Sequence, residues 1–241
     1  MKILKFDNAQ LGSKCLASEI YQAIKENSTL NMAVATGRTM DSVYDNLYHL
    51  HQKNRLDCSK VKTFALDEYI GLGKNHENSY EAYLKFHLYE PLGFNLSNTH
   101  IPDVHLENYE KSAFAYEEKI NKLGGLDFAI LGIGVNGHIA LNEPGSAHDS
   151  KTRVVALSST TIQSNKSLFK SDRIPLTAMT MGIGTIRGAK KIYLIATGET
   201  KAQVIKSLIE GEISSDLPAS FLKSHPDFTL ILDNDSSKLV K

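Results

Sequence analysis

Long apolar runs are what this 241-residue chain most plainly lacks. None approaches the roughly 20 consecutive apolar residues needed to cross a bilayer, and the opening MKILKFDNAQ has no signal-peptide core. The sequence therefore predicts a cytoplasmic protein with no membrane partner. Cysteine is scarce too: Cys15 and Cys58 stand without any C-x-x-C spacing, which excludes a disulfide framework and a zinc site. Both read as packing residues, and no metal is expected. Net charge is missing as well, since 27 basic residues balance 27 acidic ones and the two signs are interspersed. Such a surface offers no footprint for nucleic acid. Repeats, low-complexity tracts and linkers rich in proline, glycine or serine are also absent, and 41% hydrophobic with 22% charged residues suits one large globular domain.

What the chain does have is a glycine-rich cluster of proton-handling residues, LDFAILGIGVNGHIALNEPG at 126–145. Its apolar run Phe128–Leu131 is short enough for a strand buried on both faces, and it passes directly into Gly132 and Gly134. Asn136, His138 and Glu143 follow within eight positions, before Pro144 and Gly145 close the segment. Singly, His138 reads as a half-buried histidine and Glu143 as a solvated carboxylate. Together, at the carboxyl end of a parallel strand, they read as a site, because open α/β sheets take their ligands there.

Around that stretch the chain alternates strand and helix. Residues 3–6 predict an edge strand, followed by a helix with Leu16, Ile20, Ala23 and Ile24 on one face. A buried strand at 31–35 ends in Thr36, Gly37, Arg38 and Thr39 before a helix over about 41–53, an arrangement whose N–H groups and hydroxyls can cradle phosphate. The strand at 61–66 ends in Asp67, Glu68 and Tyr69, where Asp67 reads either as a turn cap or as part of the same site. Helices are expected over about 80–88 and 108–123, strands at 153–157, 192–196 and 228–232, and a glycine-bearing turn in MTMGIGTIRG at 179–188. The polar segment 158–170 is poorly periodic. It reads equally as part of a lid over about 158–178 or as a surface helix without a mechanistic role. Lys201 falls in the first turn of a helix built on Val204, Ile205, Leu208 and Ile209, where a cation opposes the helix dipole unless an anionic ligand is present. The pattern predicts an α/β fold with a single doubly wound, mostly parallel sheet and helices on both faces, Rossmann-like.

Three stretches make the chain recognisable: ALDEYIGL at 65–72, LGIGVNGHIALNEPG at 131–145 and MTMGIGTI at 179–186. Through them nearly the whole chain resembles the glucosamine-6-phosphate deaminase family and its relatives that act on galactosamine 6-phosphate. The sister 6-phosphogluconolactonases share the fold but usually carry a Ser-Leu-Phe-Pro type segment where this chain has Leu141, Asn142, Glu143 and Pro144. The resemblance implies a cofactor-free reaction in which a hexosamine 6-phosphate opens its ring, isomerises between C1 and C2, and loses ammonia to become the ketose 6-phosphate. It also implies roles for His138 as proton shuttle in ring opening, Glu143 as its support, Asn136 as an orienting group, and Asp67 as the base at C2. Glu68 has no assigned role.

Thr36, Gly37, Thr39 and Lys201 match the family's phosphate site. Arg38 stands where the family has Gly or Ser, while the arginine of the family's Asn-x-Arg-Phe lid segment is missing from Asn165, Lys166, Ser167, Leu168 and Phe169. Arg38 is thereby read either as a relocated phosphate ligand or as a side chain turned to solvent, with Lys166 as the competing cation. The gap in the lid, with GGLD at 124–127 and PASFL at 218–222, leans the substrate towards galactosamine 6-phosphate. A lactonase-type hydrolase and a catalytically inactive sugar-phosphate-binding regulator are the alternatives. Some relatives are allosteric hexamers with longer C-terminal tails, so this chain is expected to be a monomer or a small homo-oligomer whose partner is a small-molecule sugar phosphate.

Overall fold

The computed structural model describes residues 1–73, 75–166, 169 and 174–240. Strand β1 (Lys2–Phe6) leads through helix α1 (Ala9–Glu26) to β2 (Asn31–Val34), and α2 (Arg38–Asn54) leads on to β3 (Lys62–Ala65). Next come a three-residue strand β4 (Asp67–Tyr69), helix α3 (Tyr80–Leu84) continued by a π-helical turn Lys85–Tyr89, and the short β5 (Thr99–His100). Helix α4 (Tyr109–Lys122) feeds β6 (Phe128–Leu131), after which a long loop runs to β7 (Arg153–Ala156). Helix α5 (Ser159–Asn165), β8 (Thr177–Thr180) and α6 (Ile183–Ile186) follow. The last elements are β9 (Lys191–Ala196), α7 (Ala202–Glu210), β10 (Phe228–Asp233) and α8 (Asn234–Ser237).

Seven strands pair in parallel in the order β1-β10-β9-β6-β2-β3-β5. Every residue of β2, β6 and β10 is buried, as strands covered on both faces require. From β2 the chain moves through β3 to β5 in one direction, then returns to β6 and proceeds through β9 to β10 in the other. Because parallel crossovers are right-handed, this reversal puts the two sets of connecting helices on opposite faces. Helix α1 buries Leu16, Ile20 and Ile24 against this sheet and packs beside α2, as the periodicity predicts. The fold is the expected doubly wound α/β sheet, with β1 at its edge.

Three local expectations need correction. Strands β4, β8 and β7 form a separate antiparallel sheet in that order, so Asp67, Glu68 and Tyr69 are not the tail of β3 and the strand beginning at Arg153 does not continue the βα alternation. The cause is Met181, whose N–H donates to Leu66 O at 2.6 Å, so that the chain leaving β3 is taken over by β8. The alternation of strand and helix also breaks after β6, where residues 132–152 form an irregular loop. Finally, α2 begins at Arg38 rather than near residue 41. Gly37, with φ of 107°, turns the chain into the helix and accepts from Met40 N–H at 2.7 Å, placing Arg38 and Thr39 inside the first helical turn.

Candidate active site

The strand order reverses between β6 and β2, and in open α/β sheets the crevice at such a switch point, beyond the carboxyl ends of the strands, takes the ligand. The neighbours β9, β6, β2 and β3 all point their carboxyl ends at this rim. They deliver Lys201, the Gly132 to Glu143 loop, Thr36 to Thr39, and Asp67, so the topology brings every sequence-derived site residue to one edge of the sheet.

Within the β6 loop, Glu143 is held from several sides. Its Oε1 accepts from Thr161 Oγ1 at 2.6 Å and Ser158 N–H at 3.2 Å, while Oε2 accepts from Asn136 Nδ2 at 2.7 Å and lies 3.4 Å from His138 Nδ1. Burial on its own would raise this carboxyl, but hydrogen bonds from His138, Thr161 and Asn136, with the charge on His138, outweigh it and hold the pKa at about 2. Glu143 is therefore an anion whose partner is the imidazole. Asn136 also orients the loop by accepting from His138 N–H at 3.3 Å. The His138 ring lies flat on Gly134: a Cβ there would sit 2.4 Å from Cε1. His138 keeps 19% of its side chain exposed, enough for a ligand to reach the ring.

Asp67 sits on the other side of β2. Burial pushes its carboxyl up to about 8, and the charge of Glu68 adds to the shift. Glu68, unassigned from sequence, accepts from Tyr69 N–H, Tyr80 N–H and Glu81 N–H at 2.8–3.0 Å, and so caps the free N–H groups at the start of α3. The two halves of the rim are joined through β8. Asp67 pairs with Thr180 across the small sheet, and Thr180 Oγ1 accepts from Leu141 N–H at 3.0 Å. Asn142, fully buried, donates to Ile139 O and Met181 O and accepts from Arg153, which locks the loop carrying Glu143. The Asn of the LNEPG segment is thus a tie within the loop, not a reacting group.

Beyond β9, Lys201 occupies the 3-10 turn Glu199–Lys201 that leads into α7, and its Nζ donates to Ile133 O at 2.6 Å. Burial lowers its pKa, so an ammonium is being held at the glycine-rich loop at a solvation cost. Thr36 and Thr39 are half-buried, whereas Gly37 and Arg38 are exposed. The hydroxyl of Tyr83 braces this turn, donating its one proton to Asp41 at 2.5 Å and lying 3.1 Å from Gly37 O. Ser167 and Leu168, on which the lid-arginine comparison turns, lie outside the described residues, as do residues 170–173 of the expected lid. Among the described residues no group of three or more His, Cys, Asp or Glu could hold a metal ion.

A family model described as glucosamine-6-phosphate isomerases/6-phosphogluconolactonase matches residues 7–230. The chain belongs to this family. Glucosamine-6-phosphate deaminase from Thermoanaerobacter pseudethanolicus is 41% identical over 241 residues, covering 100% of this chain and 95% of its own. A solved structure of a monomeric glucosamine-6-phosphate deaminase superposes with a TM-score of 0.97 at 37% identity, covering 99% of this chain and 100% of that one. The 6-phosphogluconolactonase from Trypanosoma brucei, at 18% identity and a TM-score of 0.75 over 100% of this chain and 98% of its own, shares the fold alone.

Sequence reasoning missed several residues that touch the candidate site. Ser158 and Thr161 hold Glu143, and Asn165 Nδ2 donates to Tyr69 Oη at 2.7 Å, so α5 touches both the His138 side and the Asp67 side of the rim. Phe169 packs edge-on against Tyr69, with ring centroids 5.5 Å apart. The one available signal was the Ser158-x-x-Thr161 spacing, in which Ser158 caps α5 by accepting from Thr161 N–H at 3.1 Å.

Proposed function

We propose that this chain is an amino-sugar 6-phosphate deaminase whose substrate is glucosamine 6-phosphate. The observation that carries the reading is the pairing, on one rim of the family fold, of an anion-supported imidazole at His138 with a buried carboxyl at Asp67. His138 takes the anomeric hydroxyl proton and returns it to the ring oxygen, opening the sugar. Asp67 then removes the C2 proton to leave an enol-amine across C1 and C2, and delivers a proton to C1. The resulting C2 iminium adds water and expels ammonia, which leaves the ketose 6-phosphate. Acid–base groups suffice for each step, and no cofactor is invoked.

Lys201, Thr36, Gly37, Thr39 and the N-terminus of α2 would bind the phosphate, with Arg38 beside them. The lean towards galactosamine 6-phosphate loses two of its supports. Gly124 and Gly125 terminate α4 at positive φ, Asp127 accepts from Asn31 N–H, and Ala219 N–H donates to Gly137 O, so GGLD and PASFL brace the scaffold rather than meet a sugar. The two deaminases compared above carry the glucosamine name. The alternative of a lactonase has only fold similarity behind it, and hydrolysis needs no base over C2. We further read the chain as one domain acting as a cytoplasmic monomer, with α5 and Phe169 covering its site; the monomeric relative supports the monomer, and the contacts of Ser158, Thr161, Asn165 and Phe169 support the cover.

A coupled assay for ammonia release with both hexosamine 6-phosphate epimers tests the proposal. Turnover of the glucosamine epimer with a kcat/KM at least about 10-fold above the galactosamine epimer is expected. Release from neither epimer would remove the function, and a preference for galactosamine would restore the earlier lean.

A further inference from the structure

The proton positions around His138 can be worked out from the donors and acceptors that surround it. Thr161 Oγ1 lies 2.6 Å from Glu143 Oε1, which as an anion only accepts, so the single hydroxyl proton of Thr161 is committed to Glu143. Ser158 Oγ accepts from Thr161 N–H at 3.1 Å and from Asn136 Nδ2 at 3.5 Å, and directs its own proton to Thr161 Oγ1, also at 3.1 Å. Asn136 spends its two amide protons on Glu143 and Ser158. What faces His138 Nδ1 is therefore only acceptors: a lone pair of Thr161 Oγ1 at 3.3 Å and Glu143 Oε2 at 3.4 Å. A neutral imidazole in that setting must carry its proton on Nδ1 and leave Nε2 bare.

We propose that Thr161 is a positioning residue for ring opening, fixing His138 in the Nδ1–H tautomer by giving its own proton to Glu143 and its lone pair to the imidazole. The inference rests on the deaminase reading and specifies which nitrogen reacts. The bare Nε2 takes the proton of the anomeric hydroxyl; the O1–C1 bond becomes double as the C1–O5 bond breaks, and the ring oxygen takes that proton back from Nε2–H. The opposite tautomer would present Nε2–H first, and would need a separate acceptor for the anomeric proton. Because Thr161 belongs to α5, which is also tied to Tyr69 through Asn165, the tautomer depends on that helix being seated on the rim. Glu143 alone does not enforce it, since it approaches Nδ1 no closer than Thr161 does and Thr161 is one of the groups that aim it.

Thr161→Ala and Thr161→Ser differ by one hydroxyl, and so separate proton placement from simple packing. Nitrogen-15 spectra of the ligand-free enzyme at neutral pH, with His138 assigned by its loss in His138→Asn, read the tautomer directly. The wild type and Thr161→Ser should show Nδ1–H alone, and Thr161→Ala a mixture of both forms. With the cyclic substrate, Thr161→Ala should lower kcat by about 10- to 100-fold with KM within about 3-fold, and Thr161→Ser should recover to within about 3-fold of wild type. An Nε2–H tautomer in the wild type overturns the inference, and that result stands even where Thr161→Ala does not fold. Thr161→Ala with an unchanged kcat, or Thr161→Ser as impaired as Thr161→Ala, overturns it too. The spectra need no turnover. A wild type that releases no ammonia therefore sinks the proposed function while the proton arrangement is still measured.

Discussion

A carboxyl pushed up to about 8 is mostly protonated at neutral pH, which is the wrong form for a base, and Asp67 has that property in the empty site. The substrate itself corrects it. A hexosamine phosphate brings a cationic amino group to C2, and an opposite charge beside a buried carboxyl favours the carboxylate. The same burial weakens the empty enzyme. An aspartate in the unfolded chain titrates near 3.9, so between about pH 4 and pH 8 the folded state binds more protons, and stability falls as pH rises through that window. Asp67→Asn should therefore lower kcat by about 10²- to 10⁴-fold, abolish exchange of the C2 hydrogen with solvent, and yet raise Tm by about 4–10 °C at pH 8, with less gain at pH 5. Wild-type exchange in the variant would take the base role away from Asp67, and an unchanged Tm at pH 8 would mean that the carboxylate is ionised when folded. Glu143 behaves oppositely. Its pKa of about 2 lies below the unfolded value, so it contributes stability above about pH 4.3 that is lost as pH falls towards 2, trimmed by solvent because the group is only half-buried. Glu143→Gln should lower Tm by a few degrees at pH 7 and by progressively less as pH falls from about 4 towards 2, and should impair a cyclic substrate more than an open-chain analogue. Equal losses with both substrates would leave Glu143 a structural carboxylate.

At the scale of elements, two glycine-bearing segments that look alike in sequence do different work. Gly134 in the loop after β6 lies beneath the His138 ring, whereas Gly182 and Gly184 around the start of α6 lie against backbone, where an added Cβ would meet Ser150 O at 2.1 Å and Asp149 O at 2.7 Å. A side chain can swing away; a hydrogen-bonded loop backbone cannot, and Ser150 O already accepts from Gly184 N–H at 2.9 Å. Gly134→Ala should displace the imidazole and lower kcat by about 10²-fold or more with Tm nearly unchanged, while Gly182→Ala should lower Tm by about 5 °C or more before activity is even considered. Melting curves and kcat for the two variants check this, and equal effects on Tm would sink the distinction. The contrast also marks what the sequence made legible. Buried parallel strands such as Phe128–Leu131 and the helix over Leu16, Ile20 and Ile24 announce themselves by period and composition, and their carboxyl ends then point to Asp67, His138 and Glu143. The small sheet did not, because β4 has three residues and no measurable period, and its partners come from beyond residue 150. The role of helix α5, offered in the sequence as a surface helix or a lid, was hidden for a related reason. Its polar face meets Glu143 and Tyr69 rather than solvent, so hydrogen bonds, not an apolar stripe, hold it in place.

For the whole molecule, the consequence of spreading the site over four adjacent strands is that one ligand ties together loops with no local connection. Thr36 to Thr39 follow β2 and Lys201 follows β9, with β6 between them, so a phosphate bound as proposed would bridge both sides of the switch point. A ligand that binds only the folded state stabilises it by RT ln(1 + [L]/Kd), about 2.7 kcal/mol at 100 times Kd, which for a domain of this size raises Tm by roughly 5–10 °C. Glucitol 6-phosphate suits the measurement, since it carries the phosphate and cannot isomerise. Lys201→Met should reduce the ligand-induced shift by roughly half, from a loss of about 10-fold in affinity, while leaving the empty enzyme as stable as before or slightly more so, because burial already disfavours the ammonium. Arg38→Ala should act similarly if the guanidinium at the start of α2 reaches the same phosphate, and should raise KM by about 10-fold with kcat changed less. Lys166→Ala, just past the end of α5, should do little to either quantity. The assignments stand or fall separately. A full shift in Lys201→Met removes that lysine from the cradle, and a full shift in Arg38→Ala alongside a lost one in Lys166→Ala returns the missing cation to the segment that follows α5.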